Sequence, residues 1–150
     1  MIKIRNLRKS FGENHVLHGF DMELYEGENL VIMGKSGSGK SVMIKCLMGL
    51  MQPEAGEIQI MGRNVMELKH QELDQLRKEI GFLFQGSALY DSMTVRENLE
   101  FPLRKQSFNR DEKNHLVRKA LESVGLIDAV DLIPAELSGG MKRRIALARA

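Results

Sequence analysis

The sequence predicts an α/β fold organised around a strand–glycine loop–helix unit, with antiparallel strands ahead of it and a helical region behind. Three observations carry that prediction. Residues 34–41 read Gly34-Lys35-Ser36-Gly37-Ser38-Gly39-Lys40-Ser41, a complete G-x-x-x-x-G-K-[ST] pattern. The apolar run Leu30-Val31-Ile32-Met33 precedes it, and a helical pattern rich in apolar residues follows. Beyond residue 85, turn and strand signals give way to helix caps and helical periodicity.

In chain order, Ile2 and Ile4 alternate with Lys3 and Arg5, and Leu17, Phe20, Met22 and Leu24 form a later apolar series. This spacing predicts an edge sheet of antiparallel strands over the first 27 residues. Residues 29–33 read as a buried strand and 41–50 as a helix. Met43, Ile44, Cys46, Leu47, Met48 and Leu50 make that helix apolar nearly all round, so it is expected to be buried. Pro53 and Gly56 mark a turn, 57–61 a strand and 68–78 a polar helix. Ile80-Gly81-Phe82-Leu83-Phe84 reads as another buried strand, ending at Gln85. Thr94 and Glu97 stand at capping-box spacing, and Asn109 can cap a further helix. Along that helix Leu116, Val117, Ala120, Leu121 and Val124 share a face, and Gly125 is placed to end it. Pro134 breaks the chain before Leu137-Ser138-Gly139-Gly140, where Ser138 is a good N-cap for a helix over 141–150.

Composition narrows the function classes. The 150 residues, 43% hydrophobic, suit one soluble domain with a core, and a net charge of +2 is too near neutral for a dedicated nucleic-acid binder. No apolar run approaches the ~20 residues of a membrane span. Met1-Ile2-Lys3-Ile4-Arg5 lacks the apolar core of a signal peptide. Cys46, the only cysteine, reads as a small buried residue, and the four histidines show no metal-ligand spacing. These features fit a reducing, cytoplasmic setting.

The glycine loop answers the needs of one ligand, a nucleoside triphosphate with Mg²⁺. Its glycines permit backbone angles that a Cβ forbids and let N–H groups converge on phosphate oxygens, and the following helix presents its positive end. Lys40 is placed to reach the β and γ phosphates, and the Ser41 hydroxyl to ligate Mg²⁺. Ser138-Gly139-Gly140 has two readings. It is a capped helix with small residues at a close backbone approach, or a second anion site at a helix N-terminus. Lys142-Arg143-Arg144 reads as a solvated basic helix face.

Phe11, the loop 34–41, Gln85 and Leu137-Ser138-Gly139-Gly140 stand in the order and rough spacing of the ATP-binding cassette ATPases, which the whole chain resembles. The resemblance implies a P-loop NTPase core sheet with an N-terminal antiparallel β subdomain and a helical insertion. It divides the chain into a nucleotide-binding core with its antiparallel part (1–85), a helical subdomain (86–137) and a signature helix (138–150). It implies that Phe11 stacks on adenine, against the alternative of core packing, and that Val16 lies near the ribose. Lys35, Ser36, Gly37, Ser38 and Gly39 line the phosphates with Gly34 and Lys40. Gln85 contacts Mg²⁺ and the attacking water, against the alternative of a polar strand end. Ser138, Gly139 and Gly140 bind the γ-phosphate held by a second, head-to-tail subunit, most simply another copy of the chain. Partners implied are integral membrane permease subunits, with no nucleic acid, at the inner face of the cell membrane.

Residues 83–95, Phe101-Pro102-Leu103-Arg104 and Met141, where most cassette ATPases carry Gln, are similar to the ATPases of Mce/Mla-type lipid transport systems. Lipid is therefore the expected cargo. The alternatives are an importer of a small polar solute such as an amino acid, and a non-transport cassette acting in DNA repair or on ribosomes. The short stretch between Gln85 and Ser138 speaks against the long coiled coils of repair proteins. A small P-loop kinase or GTPase leaves Leu137-Ser138-Gly139-Gly140 unexplained. In the family an apolar strand ending in Asp-Glu, then a further Asp and a His, follow the signature helix. Residues 1–150 are accordingly expected to be the N-terminal portion of a longer ATPase, inactive in hydrolysis alone.

Overall fold

A computed structural model describes residues 1–83 and 86–150. They form two compact units, Met1–Glu79 and Ile80–Ala150.

The first unit is built on an antiparallel sheet. Strands β1 (Ile2–Phe11) and β2 (Asn14–Leu24) form a hairpin, β3 (Ala55–Ile60) pairs with the other edge of β1, and β4 (Arg63–Asn64) closes the order β2-β1-β3-β4. Ile4 and Leu7 of β1 and Ile58 and Ile60 of β3 are fully or almost fully buried. The β1–β2 ladder shifts register between Lys9↔Leu17 and Ser10↔His15, leaving Val16 as the extra residue of a bulge. Helix α1 (Lys40–Leu47) buries Met43 and Cys46, and Met48 follows them into the core. Helix α2 (His70–Lys78) buries Leu76. Its Arg77 donates to the carbonyls of Met48 (3.1 Å) and Gly49 (3.0 Å), satisfying acceptors left over past the end of α1.

Three sequence expectations need correction. The run 30–33 is neither a strand nor buried: Val31 is 78% and Met33 88% exposed. Residues 80–83 form no strand either, and Leu83 is exposed; Phe84 lies outside the described residues. An apolar run signals a wish for burial, but a strand also requires a neighbour to take its N–H and C=O groups. Among the described residues, the ladders join only β1 to β4. Helix α1 is likewise one-sided, with Ile44 exposed and Leu50 both exposed and beyond the helix end.

The second unit is helical. Thr94 caps α3 (Val95–Glu100) by accepting from Glu97 N (3.2 Å), while the Glu97 carboxylate accepts from Thr94 N (2.8 Å). A 3-10 stretch, Phe101–Lys105, continues it. Asn109 caps α4 (Arg110–Ser123) in the same reciprocal way with Glu112. At its far end Gly125 takes φ +65°, Gly125 N donates to Glu122 O and Leu126 N to Leu121 O: a Schellman closure that buries Leu121 and Leu126 together. Helix α5 (Gly139–Arg149) completes the unit. Val95, Leu99, Val117, Leu121, Leu126, Ala129, Leu137 and Ile145 form its core.

Candidate functional site

The glycine loop is shaped by its own side chains. Gly39 has φ +88°, where L-residues are strained, and a Cβ there would lie 2.9 Å from Val16 Cγ1 and 3.0 Å from the Val16 carbonyl oxygen. A Cβ on Gly34 would meet Ser38 Oγ at 2.5 Å. Gly39 therefore requires glycine, for backbone strain and crowding together, whereas a side chain at position 34 would have to displace the Ser38 hydroxyl. Val16, the extra residue of the bulge, lies against the loop at Gly39.

Lys40 opens α1, and its Nζ donates to the carbonyls of Gly34 (2.7 Å) and Lys35 (2.8 Å) and to Ser38 Oγ (3.3 Å). The ammonium is thus held across the mouth of the loop by acceptors of the loop itself. Lys35, Ser36, Gly37, Ser38 and Ser41 are exposed, so the concave side is accessible. The donor set suits Mg²⁺ with a polyphosphate. Among the described residues no cluster of three His, Cys, Asp or Glu could hold a metal. Ser41 supplies one exposed hydroxyl in the first turn of α1, and a hard cation bound there would take its remaining ligands from phosphate and water.

Phe11, at the end of β1, is 48% exposed and is not packed into the core of the described unit. The Lys9 ammonium lies 5.5 Å from its ring centroid, within cation–π range.

In the second unit Ser138 accepts from Met141 N (3.2 Å) through Oγ and from Lys142 N (2.9 Å) through its carbonyl, the N-cap geometry expected of it. A Cβ at Gly139 would meet nothing within 4 Å, and at Gly140 only Ser138 Oγ at 4.0 Å. Among the described residues no close packing requires glycine at either place. Met141 leans on the helical core. Gln85 lies outside the described residues.

Sequence reading passed over two polar groups. Asn98 is fully buried on α3; its Oδ1 accepts from Tyr90 N (2.7 Å) and its Nδ2 donates to the carbonyls of Tyr90, Met93 and Thr94. It pins the segment that runs into the Thr94 cap. The available signal was a polar residue three on from buried Val95 and next to buried Leu99, where the helical period calls for an apolar one. The other is Glu54, whose carboxylate accepts from Ser10 N and Ser10 Oγ, both at 2.9 Å. These hydrogen bonds, the hydroxyl's first, hold its carboxyl below the usual value. In Cys46, burial pushes the thiol up, the behaviour of an inert structural cysteine.

A glycine loop of this sequence at a helix start, with an open serine–glycine–glycine cap on another helix, defines a phosphate-loop protein of the cassette type. A family profile described as "ABC transporter" matches residues 17–150. The chain belongs to the ABC transporter family. It is 40% identical over 150 residues to the methionine import ATP-binding protein MetN of Rhizobium johnstonii, covering all of this chain and 41% of that protein. It is 42% identical over 152 residues to the chloroplastic protein TRIGALACTOSYLDIACYLGLYCEROL 3 of Arabidopsis thaliana, covering 44% of it. The chain therefore spans less than half the length of these relatives. Its fold matches the dimeric structure of MJ0796, a bacterial ABC transporter cassette, with a TM-score of 0.88 and 34% identity over 99% of this chain and 68% of that one.

Proposed function

We propose that the chain supplies the ATP-binding half-site of a transporter-energising ATPase that works as a pair of subunits. The observation that carries this reading is the loop 34–41, with Lys40 fixed across its mouth and Ser41 open at the start of α1. In it, loop N–H groups and Lys40 bind the phosphates, and Ser41 holds Mg²⁺. Gln85 adds a contact to the metal and to the attacking water, which makes Lys40 and Gln85 the catalytic residues. Phe11 takes the adenine and Val16 the ribose. Ser138, Gly139 and Gly140 face the γ-phosphate on a second copy of the chain; their open, unpacked glycines support that role. The division into 1–85, 86–137 and 138–150 follows these tasks. The pair docks on integral membrane permease subunits at the cytoplasmic face. Among the described residues no helix is long and apolar enough to cross a membrane.

For the cargo, the methionine importers of Rhizobium, Clostridium and Brucella favour a small polar solute such as an amino acid. The lipid reading rests on residues 83–95, Phe101–Arg104 and Met141, and on the name of the Arabidopsis relative. Calorimetric titration tests the half-site. Lys40→Ala should weaken Mg-ATP about a hundredfold, because it removes charged hydrogen bonds to phosphate. Unchanged affinity in a folded Lys40→Ala protein refutes the reading. Reconstitution with the permease and either radiolabelled methionine or labelled phospholipid separates the cargoes.

A further inference from the structure

Behind Phe11 lies a polar chain that the phosphate-loop reading does not use. Ser10 sits between Phe11 and the register shift of the β1–β2 ladder, paired with His15. Its N–H donates to Glu54 Oε1 and its hydroxyl to Glu54 Oε2, each at 2.9 Å, so one carboxylate grips Ser10 from both sides. Ser10 has a single hydroxyl proton, and Glu54 takes it. His15 Nδ1, 2.8 Å from Ser10 Oγ, must therefore carry the proton that joins them. Glu54 is itself stapled to β1, its N–H donating to Arg8 O at 2.9 Å. The result ties three segments, the end of β1, the start of β2 and the turn before β3, at the residue adjacent to Phe11.

That placement has a mechanical consequence. Phe11 closes β1 at a two-residue turn whose Gly12 has φ +61°, and its ring is half exposed, so local packing alone does not fix it. Successive strand residues point to opposite faces. Clamping Ser10 on one face therefore sets the direction in which Phe11 leaves on the other. We infer that Glu54, Ser10 and His15 form a positioning network that presents the Phe11 ring to the nucleobase and so sets how strongly the site prefers a nucleotide over bare polyphosphate. The inference rests on Phe11 being the base-stacking residue.

The test compares binding of Mg-ATP and Mg-tripolyphosphate to the full-length protein, because only the first has a base. Phe11→Ala should weaken ATP and leave tripolyphosphate unchanged. Ser10→Ala should raise the Kd for ATP about threefold to tenfold and leave that for tripolyphosphate within about twofold, the size of one or two net hydrogen bonds. Ser10→Thr, which keeps the hydroxyl, should restore ATP affinity. In the Ser10→Ala/Phe11→Ala double variant the Ser10 change should have no further effect, a coupling that general loosening of the fold does not produce. If Phe11→Ala leaves ATP binding intact, the stacking role is wrong. If Phe11→Ala weakens ATP while Ser10→Ala does not, or the two losses add, the network is overturned and the stacking role stands. Should Ser10→Ala fail to fold, Glu54→Ala enters the same cycle: it removes both acceptors that hold Ser10, and an additive or absent loss overturns the inference.

Discussion

Asn98 shows how one side chain can set the order of a segment. Its amide satisfies backbone groups of Tyr90, Met93 and Thr94 from a position with no solvent exposure. Truncation strands those groups away from water, and each buried orphan is costly. Asn98→Ala should therefore lower the unfolding free energy by about 2–4 kcal/mol, read from urea denaturation. A loss below about 0.5 kcal/mol would show that water replaces the amide at no cost. The residues of the glycine loop were legible in the sequence because their spacing answers a ligand. Asn98 and Glu54 were not, because their partners are backbone groups brought near by folding. The exposure of Phe11 was equally invisible, since an aromatic serves a core as readily as a surface.

At the scale of elements, the central strand of the sheet is tied by two carboxylates whose titration can be followed. On β2, Glu23 accepts from the Tyr25 hydroxyl (2.6 Å) and pairs with Lys3 (3.3 Å) and Arg5 of β1. The Tyr25 hydrogen bond first, then Lys3 and Arg5, hold its carboxyl below the ordinary 4.5. Ser10 does the same for Glu54 just ahead of β3. A group with a depressed folded pKa contributes stability above its unfolded value and loses it as pH falls through the folded value. Sheet stability should thus be flat above about pH 5 and decline below 4.5, the onset blunted in a Glu23→Gln/Glu54→Gln protein. Both groups are solvent-facing, so salt should shrink the effect, and far-ultraviolet dichroism against pH at two ionic strengths checks it. An acid limb unchanged by the double substitution removes these contacts as its cause. Elements defined by local chemistry matched the sequence reading: the hairpin, the Thr94 and Asn109 caps, the Gly125 stop and the Ser138 start all depend on neighbours in the chain. The strands expected at 30–33 and 80–83 did not, because pairing depends on a second strand that no local pattern can supply.

At the scale of the whole molecule, family membership and a TM-score of 0.88 to a cassette of which the match covers 68% coexist with an open apolar strip. Leu30, Val31 and Met33 are 47%, 78% and 88% exposed, close together in a stretch outside any strand or helix directly ahead of the phosphate loop. Scattered apolar side chains are ordinary on a surface, but a close-set apolar run with unpaired backbone is a template for association. The 150-residue chain should bind the dye anilinonaphthalene sulfonate in its folded state and self-associate as concentration rises. Val31→Ser with Met33→Ser should reduce both signals while changing the unfolding free energy by no more than about 0.5 kcal/mol, since neither side chain leaves water on folding. Lys40 and the loop glycines stay untouched in that variant, so Mg-ATP affinity provides an internal control. Dye binding and sedimentation that do not respond to the double substitution would place the sticky surface elsewhere, while a large loss of stability would mean that 30–33 is buried in solution.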